Sequence, residues 1–206
     1  MNTNEPGAGH KKVLNVGGNN KKIAIPATYA GWTHHLLDID PTGGPDIVCD
    51  ARELVTLPSG GYDGIYCSHN LEHYFAHDVP TVLSGLLHVL TEDGFAEIRV
   101  PDLDQLMRRV VEQNLDLLDV LYQSPAGPVH VRDVIYGYAP QIARSGHDFY
   151  AHKTGFTPKS LTAALQTARF AAIALQRRDL EIRAIAFKSK PGPHLLQSLG
   201  FTPPAS

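Results

Sequence analysis

Two groups of residues in this chain have types and spacings that suit chemistry. The first is His69-Asn70-Leu71-Glu72-His73, with His77 four residues further on. As H-x-x-E-H it spells a pattern in which two histidines on one helix face bind zinc and the glutamate activates water. Such a site needs the motif inside a helix and a third ligand from elsewhere. The second group is a glycine turn, Gly17-Gly18-Asn19, with two aspartates, Asp38 and Asp50, that each close a short apolar run. Glycines let a backbone approach a ligand closely, and a glycine turn after the first strand of an open α/β sheet is where a nucleotide sits. Asp38 stands about 20 residues beyond the turn, where a carboxylate accepts hydrogens from both hydroxyls of an adenosine ribose. The alternative is a solvated acid at a strand end. Asp50 holds the same place on the next run, where it either meets an adenine amino group or caps the Ala51-Arg52-Glu53-Leu54 turn. The glycines lack the G-x-G-x-x-G spacing that a dinucleotide pyrophosphate needs, which argues against a nicotinamide oxidoreductase.

The elements that must carry these residues follow from apolar periodicity. Runs at 13–16, 36–40, 47–50, 64–68 and 95–100 are short and bounded by Gly, Pro or Asp, as buried parallel strands are. Val79, Val82, Leu83, Leu86 and Leu90 mark one helical face. Asp78 is the expected N-cap of that helix and Glu92-Asp93-Gly94 its stop. Asp102 with Gln105 reads as a capping box for a helix whose stripe (Leu103, Leu106, Met107, Val110, Leu117) runs to about Tyr122. Residues 124–156 lack a period and are rich in His, Tyr and Gly, which suggests an ordered insertion. Thr157-Pro158 opens a helix to about Ala168. Residues 171–175 and 180–187 flank Arg177-Arg178-Asp179 as an antiparallel hairpin. The Pro-rich tail, 191–206, is expected to pack loosely. Two crossovers are tight: residues 41–46 must return without a helix, and 18–33, broken by Pro26, have room for only a short one. The expectation is a single α/β domain over 1–206.

Composition bounds the function. Hydrophobic residues at 43% against 19% charged suffice for a core and exclude a disordered chain. A net charge of -3 has no basic excess, so no nucleic-acid partner is expected. Two cysteines, Cys49 and Cys67, make no disulfide framework and suit a reducing compartment. No apolar run reaches the ~20 residues of a membrane span, and residues 1–12 lack the apolar core of a signal peptide. A cytoplasmic protein without a membrane partner is expected.

Six stretches carry a resemblance: LNVGG (14–18), LLDIDP (36–41), DIVCDARELVTLP (46–58), YDGIYCSHNLEHY (62–74), LLHVLTEDGFAEIRVPDL (86–103) and HKTGFTPKSLTAAL (152–165). Their order resembles the class I S-adenosylmethionine-dependent methyltransferases, in particular a bacterial branch of predicted methyltransferases often found near polysaccharide-assembly enzymes. The resemblance implies a Rossmann-like fold, mostly parallel with an antiparallel C-terminal hairpin, and S-adenosylmethionine as cofactor. Gly17, Gly18 and Asn19 would flank its methionyl part, Asp38 and Ile39 its ribose, Asp50 and Ala51 its adenine, with Ser68 and His69 lining it after the fourth strand. The segment between the fifth strand and the last helix would cover an acceptor, with Tyr136, His147 and His152 touching it. The expected reaction is methyl transfer to a small-molecule or glycan-linked acceptor. Where that acceptor is a hydroxyl, His69, His73 or His152 would take the proton. Two positions depart from the family: Asn15 and Gly17-Gly18-Asn19 replace glycines spaced by one residue after an acid, and His88 stands where Arg is common. A module that binds the cofactor without turnover is one alternative, and a zinc hydrolase built on His69 to His73 the other. Because that motif directly follows a buried strand, no metal is expected.

Overall fold

The computed structural model describes residues 10–201. In chain order its strands are β1 (Lys12–Val16), β2 (Thr33–Asp38), β3 (Ile47–Val48), β4 (Tyr62–Ser68), β5 (Leu90–Pro101), β6 (Val120–Ser124), β7 (Gly127–His130), β8 (Ala172–Arg178) and β9 (Glu181–Phe187). The helices are α1 (Val79–Val89), α2 (Leu103–Glu112), α3 (Val131–Tyr136), α4 (Ala139–Ser145), α5 (Pro158–Thr167) and α6 (Pro193–Ser198). One 7-stranded sheet runs β3-β2-β1-β4-β5-β9-β8. The first five of these pair in parallel, and β9 lies antiparallel between β5 and β8. This is the mostly parallel sheet with a terminal antiparallel hairpin that the sequence predicts.

Alternation along the strands divides two faces. Ala96, Ile98 and Val100 of β5 join Val82, Leu83 and Leu86 of α1 and Leu161 and Leu165 of α5 in the larger core. Phe95 points the other way, into a cluster with Tyr29, Phe187, Leu199 and Phe201. Among the described residues no long helix covers that second face, because the crossover after β1 contains only the single turn Ala27–Tyr29. Aromatic rings cover it instead. Gly64 is the strand position that lets them approach: a Cβ there would come within 3.0 Å of both Trp32 and Tyr29. The crossover after β2 is likewise one short turn, Pro41–Gly43.

Several local expectations are corrected. Asp78 occupies the cap position of α1 but makes no cap bond; its carboxylate is drawn instead to Arg52, 3.4 Å away. Glu92-Asp93-Gly94 do not stop α1, since the chain turns extended at Leu90 and they ride within β5. Asp102 accepts from the Gln105 amide at 3.1 Å, yet the Gln105 side chain accepts from Leu180 N rather than closing a box. α2 ends at Glu112, well before Tyr122, and Asn114 follows in the left-handed region. Its stripe is not buried to the end: Met107 and Leu117 are exposed. The tail is not loose over its described residues either. Leu199 and Phe201 are buried, and Arg183 donates to Leu199 O at 3.0 Å while lying 5.0 Å over the Phe201 ring. That same guanidinium pairs at 2.8 Å with Glu97, which is fully buried.

Residues 124–156 hold β7, α3 and α4. Leu103 N donates to Phe156 O at 2.9 Å, so the segment leaves and rejoins the sheet at one point. α5 then starts with the expected Thr157 cap, reinforced by Ser160 in a reciprocal box.

Candidate active site

Strand order reverses between β1 and β4, and in open α/β sheets a ligand sits beyond the carboxyl ends of the strands at that switch point. Gly17, the residue after β1, has φ +70, and a Cβ there would run into the Asn70 side chain. Gly18 is packed equally closely on Asn15, the buried residue that departs from the family pattern. Asp38 is buried at the end of β2. Its two oxygens accept from Asn19 N and Asp40 N, each at 2.9 Å, so it also pins the glycine turn to β2. Asp50 shows the capping geometry: it accepts from Arg52 N at 2.9 Å and pairs with the Arg52 guanidinium at 2.6 Å. Burial would push its carboxyl up, but the bonds from Arg52 outweigh this and hold it below the ordinary carboxylate range. Asp50 also walls a cleft of about 150 Å³ with Ile39, Asn70, His73, Tyr74 and Phe149. Ala51 is buried, and Ser68 ends β4 in register with Arg99.

These residues fit S-adenosylmethionine. The turn backbone carries no side chain at Gly17 and Gly18, Ile39 and Phe149 offer apolar faces for a flat base, and carboxylates stand at the ends of β2 and β3.

A second cleft lies beside the first. The chain kinks at His69, which has φ +49, and enters a single tight turn, Leu71–His73, anchored by buried Leu71. The H-x-x-E-H motif is therefore not in an α-helix, and its two histidines do not share a helix face. His73 instead folds back, with Nε2 3.1 Å from the His69 carbonyl and Nδ1 3.1 Å from that of Ala151. Glu72 is buried, and its own carbonyl accepts from Lys153 N and Thr154 N at 2.8 and 3.2 Å. These two bonds fasten the end of the insertion onto the motif and deliver His152. The His152 ring lies 5.0 Å from that of His73; its Nδ1 donates to Val134 O at 2.9 Å, and its Nε2 stands 3.9 Å from Glu72 Oε1.

The electrostatics separate these groups. Burial works against a charge on His69, but the bond to Glu181 and the Glu72 carboxylate 3.4 Å away dominate and push its pKa up to about 10. Burial lowers that of His152 below the ordinary histidine value. Glu72 is held down by His69, His73 and His152 despite complete burial.

His69 and His152 line a cleft of about 260 Å³ together with Tyr122, Asp133, Val134 and Tyr138. Tyr136 and His147 are not among its lining residues. The Tyr136 side chain is exposed and its carbonyl accepts from His152 N at 3.0 Å, whereas His147 stacks on Phe149 at 4.8 Å. Sequence reasoning passed over Tyr122, Asp133 and Tyr138. The signal that existed was His130-x-x-Asp133, a capping pattern read only as part of an unpatterned stretch.

The reversed strand order and the clefts beside it define a Rossmann-like fold of the S-adenosylmethionine-dependent methyltransferase type. A SAM-dependent methyltransferase from Methanosarcina mazei superposes with TM-score 0.55 at 14% identity, covering 87% of this chain and 93% of that one. One from Archaeoglobus fulgidus gives TM-score 0.53 at 15% identity, over 87% and 86% of the two chains. The 1,6-didemethyltoxoflavin-N1-methyltransferase of Burkholderia thailandensis, with 1,6-didemethyltoxoflavin and S-adenosylhomocysteine bound, gives TM-score 0.50 at 18% identity, over 88% and 73%. At these identities the likeness is one of fold. No protein-family model matches the chain, and no curated protein matches it in sequence. Among the described residues, no helix is long and apolar enough to cross a membrane.

Proposed function

We propose that this chain transfers the methyl group of S-adenosylmethionine to a small-molecule or glycan-linked acceptor. The observation that carries the reading is the adjacency of the two clefts. One is walled by Ile39, Asp50 and Phe149, the other by Asp133, Tyr138 and His152, and the packed His73 and His152 rings stand between them. On this reading the donor occupies the first cleft and the acceptor the second.

The cofactor brings an activated methyl group, so the chain's task is chiefly to hold the acceptor in line. Asp38 and Asp50 hold the cofactor's hydroxyl and amino edges. Tyr138 and Tyr122 offer the acceptor apolar faces with polar tips. His69 has a carboxylate beside each ring nitrogen, Glu72 at 3.4 Å and Glu181 at 3.3 Å, which suits it to orienting an acceptor oxygen rather than taking its proton. For a hydroxyl acceptor that task falls to His152, whose Nδ1 hydrogen is committed to Val134 and whose Nε2 lone pair is free.

The test has two stages. Calorimetry with S-adenosylmethionine and S-adenosylhomocysteine should show binding, and a screen of sugar and phenolic acceptors should show a methyl mass gain. Absence of cofactor binding overturns the reading; binding without any methyl gain leaves a cofactor-binding module.

A further inference from the structure

We propose that Glu72, His73 and His152 form a binding site for a divalent transition-metal cation of the zinc type, at the junction of the two clefts. Sequence reasoning expected no metal, because it looked for His69 and His73 on one helix. The structure supplies a different set. One ligand atom from each of Glu72, His73 and His152 lies within 4.8 Å of the others. Two ligands about 2.1 Å from one ion lie at most about 4.2 Å apart. The 3.9 Å between His152 Nε2 and Glu72 Oε1 meets that limit, and the His73 ligand atom lies no more than 4.8 Å from either.

A second observation is independent of that spacing. The Glu72 carboxylate is only 1% exposed, and neither of its oxygens has a hydrogen-bond partner. His69 Nδ1 already stands 3.4 Å from Oε1, outside hydrogen-bond geometry, and a bound cation would add the close contact that this buried carboxylate otherwise lacks. One ring is also set up as a ligand. His152 gives its Nδ1 hydrogen to Val134 O, the carbonyl bond that fixes the tautomer of a metal-binding histidine and leaves Nε2 free. His73 has a carbonyl at each ring nitrogen, so it would have to give up one of these contacts to turn a lone pair towards an ion. Two imidazoles and a carboxylate suit Zn²⁺ and its first-row neighbours rather than Mg²⁺ or Ca²⁺. Three protein ligands leave positions open to a small molecule.

The site itself does not depend on methyl transfer; its use there rests on the reading above. An ion held by His152 Nε2 would withdraw that residue as a base and would lower the pKa of an acceptor oxygen in the adjoining cleft, whose proton would then pass to solvent water.

The test is metal loading of the full chain, stripped with a chelator and free of cofactor and acceptor. Equilibrium dialysis against Zn²⁺ or Co²⁺, followed by elemental analysis, is expected to show one tight site per chain. His152→Ala and Glu72→Gln should each weaken it by about 10²-fold or more, since even supporting residues of metal sites cost 10–100-fold. His77→Ala, at a side chain 79% exposed and outside the cluster, should leave it unchanged. If Glu72→Gln does not fold, His152→Ala decides. No tight site, or one that survives the His152 substitution, overturns the proposal. A failure of cofactor binding in a separate titration bears on methyl transfer alone.

Discussion

The Tyr150 hydroxyl donates to Asp40 Oδ2 at 2.9 Å, joining positions 110 residues apart in the chain. Asp40 lies two residues beyond Asp38, so the insertion is fastened across the edge where the proposed cofactor ribose would sit. Removing the hydroxyl in Tyr150→Phe should cost about 1 kcal/mol, the net worth of one hydrogen bond. It should also raise amide exchange in residues 138–152 and speed cofactor release. Unchanged exchange in that segment would show that the bond does not hold the insertion down.

Asp38→Ala should weaken S-adenosylmethionine by about 1–3 kcal/mol, the range for a lost charged hydrogen bond. Because the Asp38 oxygens also hold the Asn19 and Asp40 amides, the variant should lose stability as well. Asp38→Asn keeps one acceptor oxygen and should recover part of both. Calorimetry and thermal melts separate the two effects, and full cofactor affinity in Asp38→Ala would remove the ribose assignment.

Acid should loosen the cleft lined by His69 and His152 through Asp133. Burial would push this carboxyl up, but bonds from the His130 amide and ring and from the Ala139 amide hold it below its ordinary value. A carboxyl depressed on folding stabilises the native state fully above its unfolded pKa of about 3.9, and that contribution is lost as pH falls through the lower folded value. Hydrogen exchange in α3 should therefore rise below about pH 4. Asp133→Asn, which cannot ionise, should flatten the pH dependence at the cost of lower stability at neutral pH. A variant that keeps the wild-type profile would place the acid sensitivity elsewhere.

Arg183→Ala should be among the more damaging single changes outside the clefts. It removes a partner of fully buried Glu97 and frees Leu199 O and the Phe201 ring. Breaking a buried ion pair costs roughly 3–5 kcal/mol, and Arg99, which also bonds Glu97 at 2.6 Å, should hold the loss near the lower end. Denaturant unfolding measures it directly. A cost under about 1 kcal/mol would mean that Arg99 alone satisfies the carboxylate.

Much of the frame was legible in the chain itself. A strand or an amphipathic helix is a local pattern, so the short apolar runs, the face of α1, the Thr157-Pro158 start of α5 and the β8–β9 hairpin could each be read from a window of a few residues. Asp38 and Gly17 were legible for the same reason: their places follow from where a strand ends. Element ends were less so. The stripe after Asp102 continued past Glu112, but nothing local recorded that Met107 and Leu117 would find no partner to bury them.

What only the tertiary structure decided is which distant residues meet. The sequence shows His73 and His152 as two histidines among eleven, and Phe201 as part of a proline-rich tail. Backbone bonds from Glu72 O to Lys153 and Thr154 bring His152 beside Glu72 and His73. The buried Glu97–Arg183 pair likewise brings Phe201 onto the sheet. Such contacts are set by how the insertion closes on the strand ends, and their free energy depends on burial and geometry created by the whole fold. No period or spacing in the chain encodes that juxtaposition, so the frame could be read from the residues and the meeting of the two clefts could not.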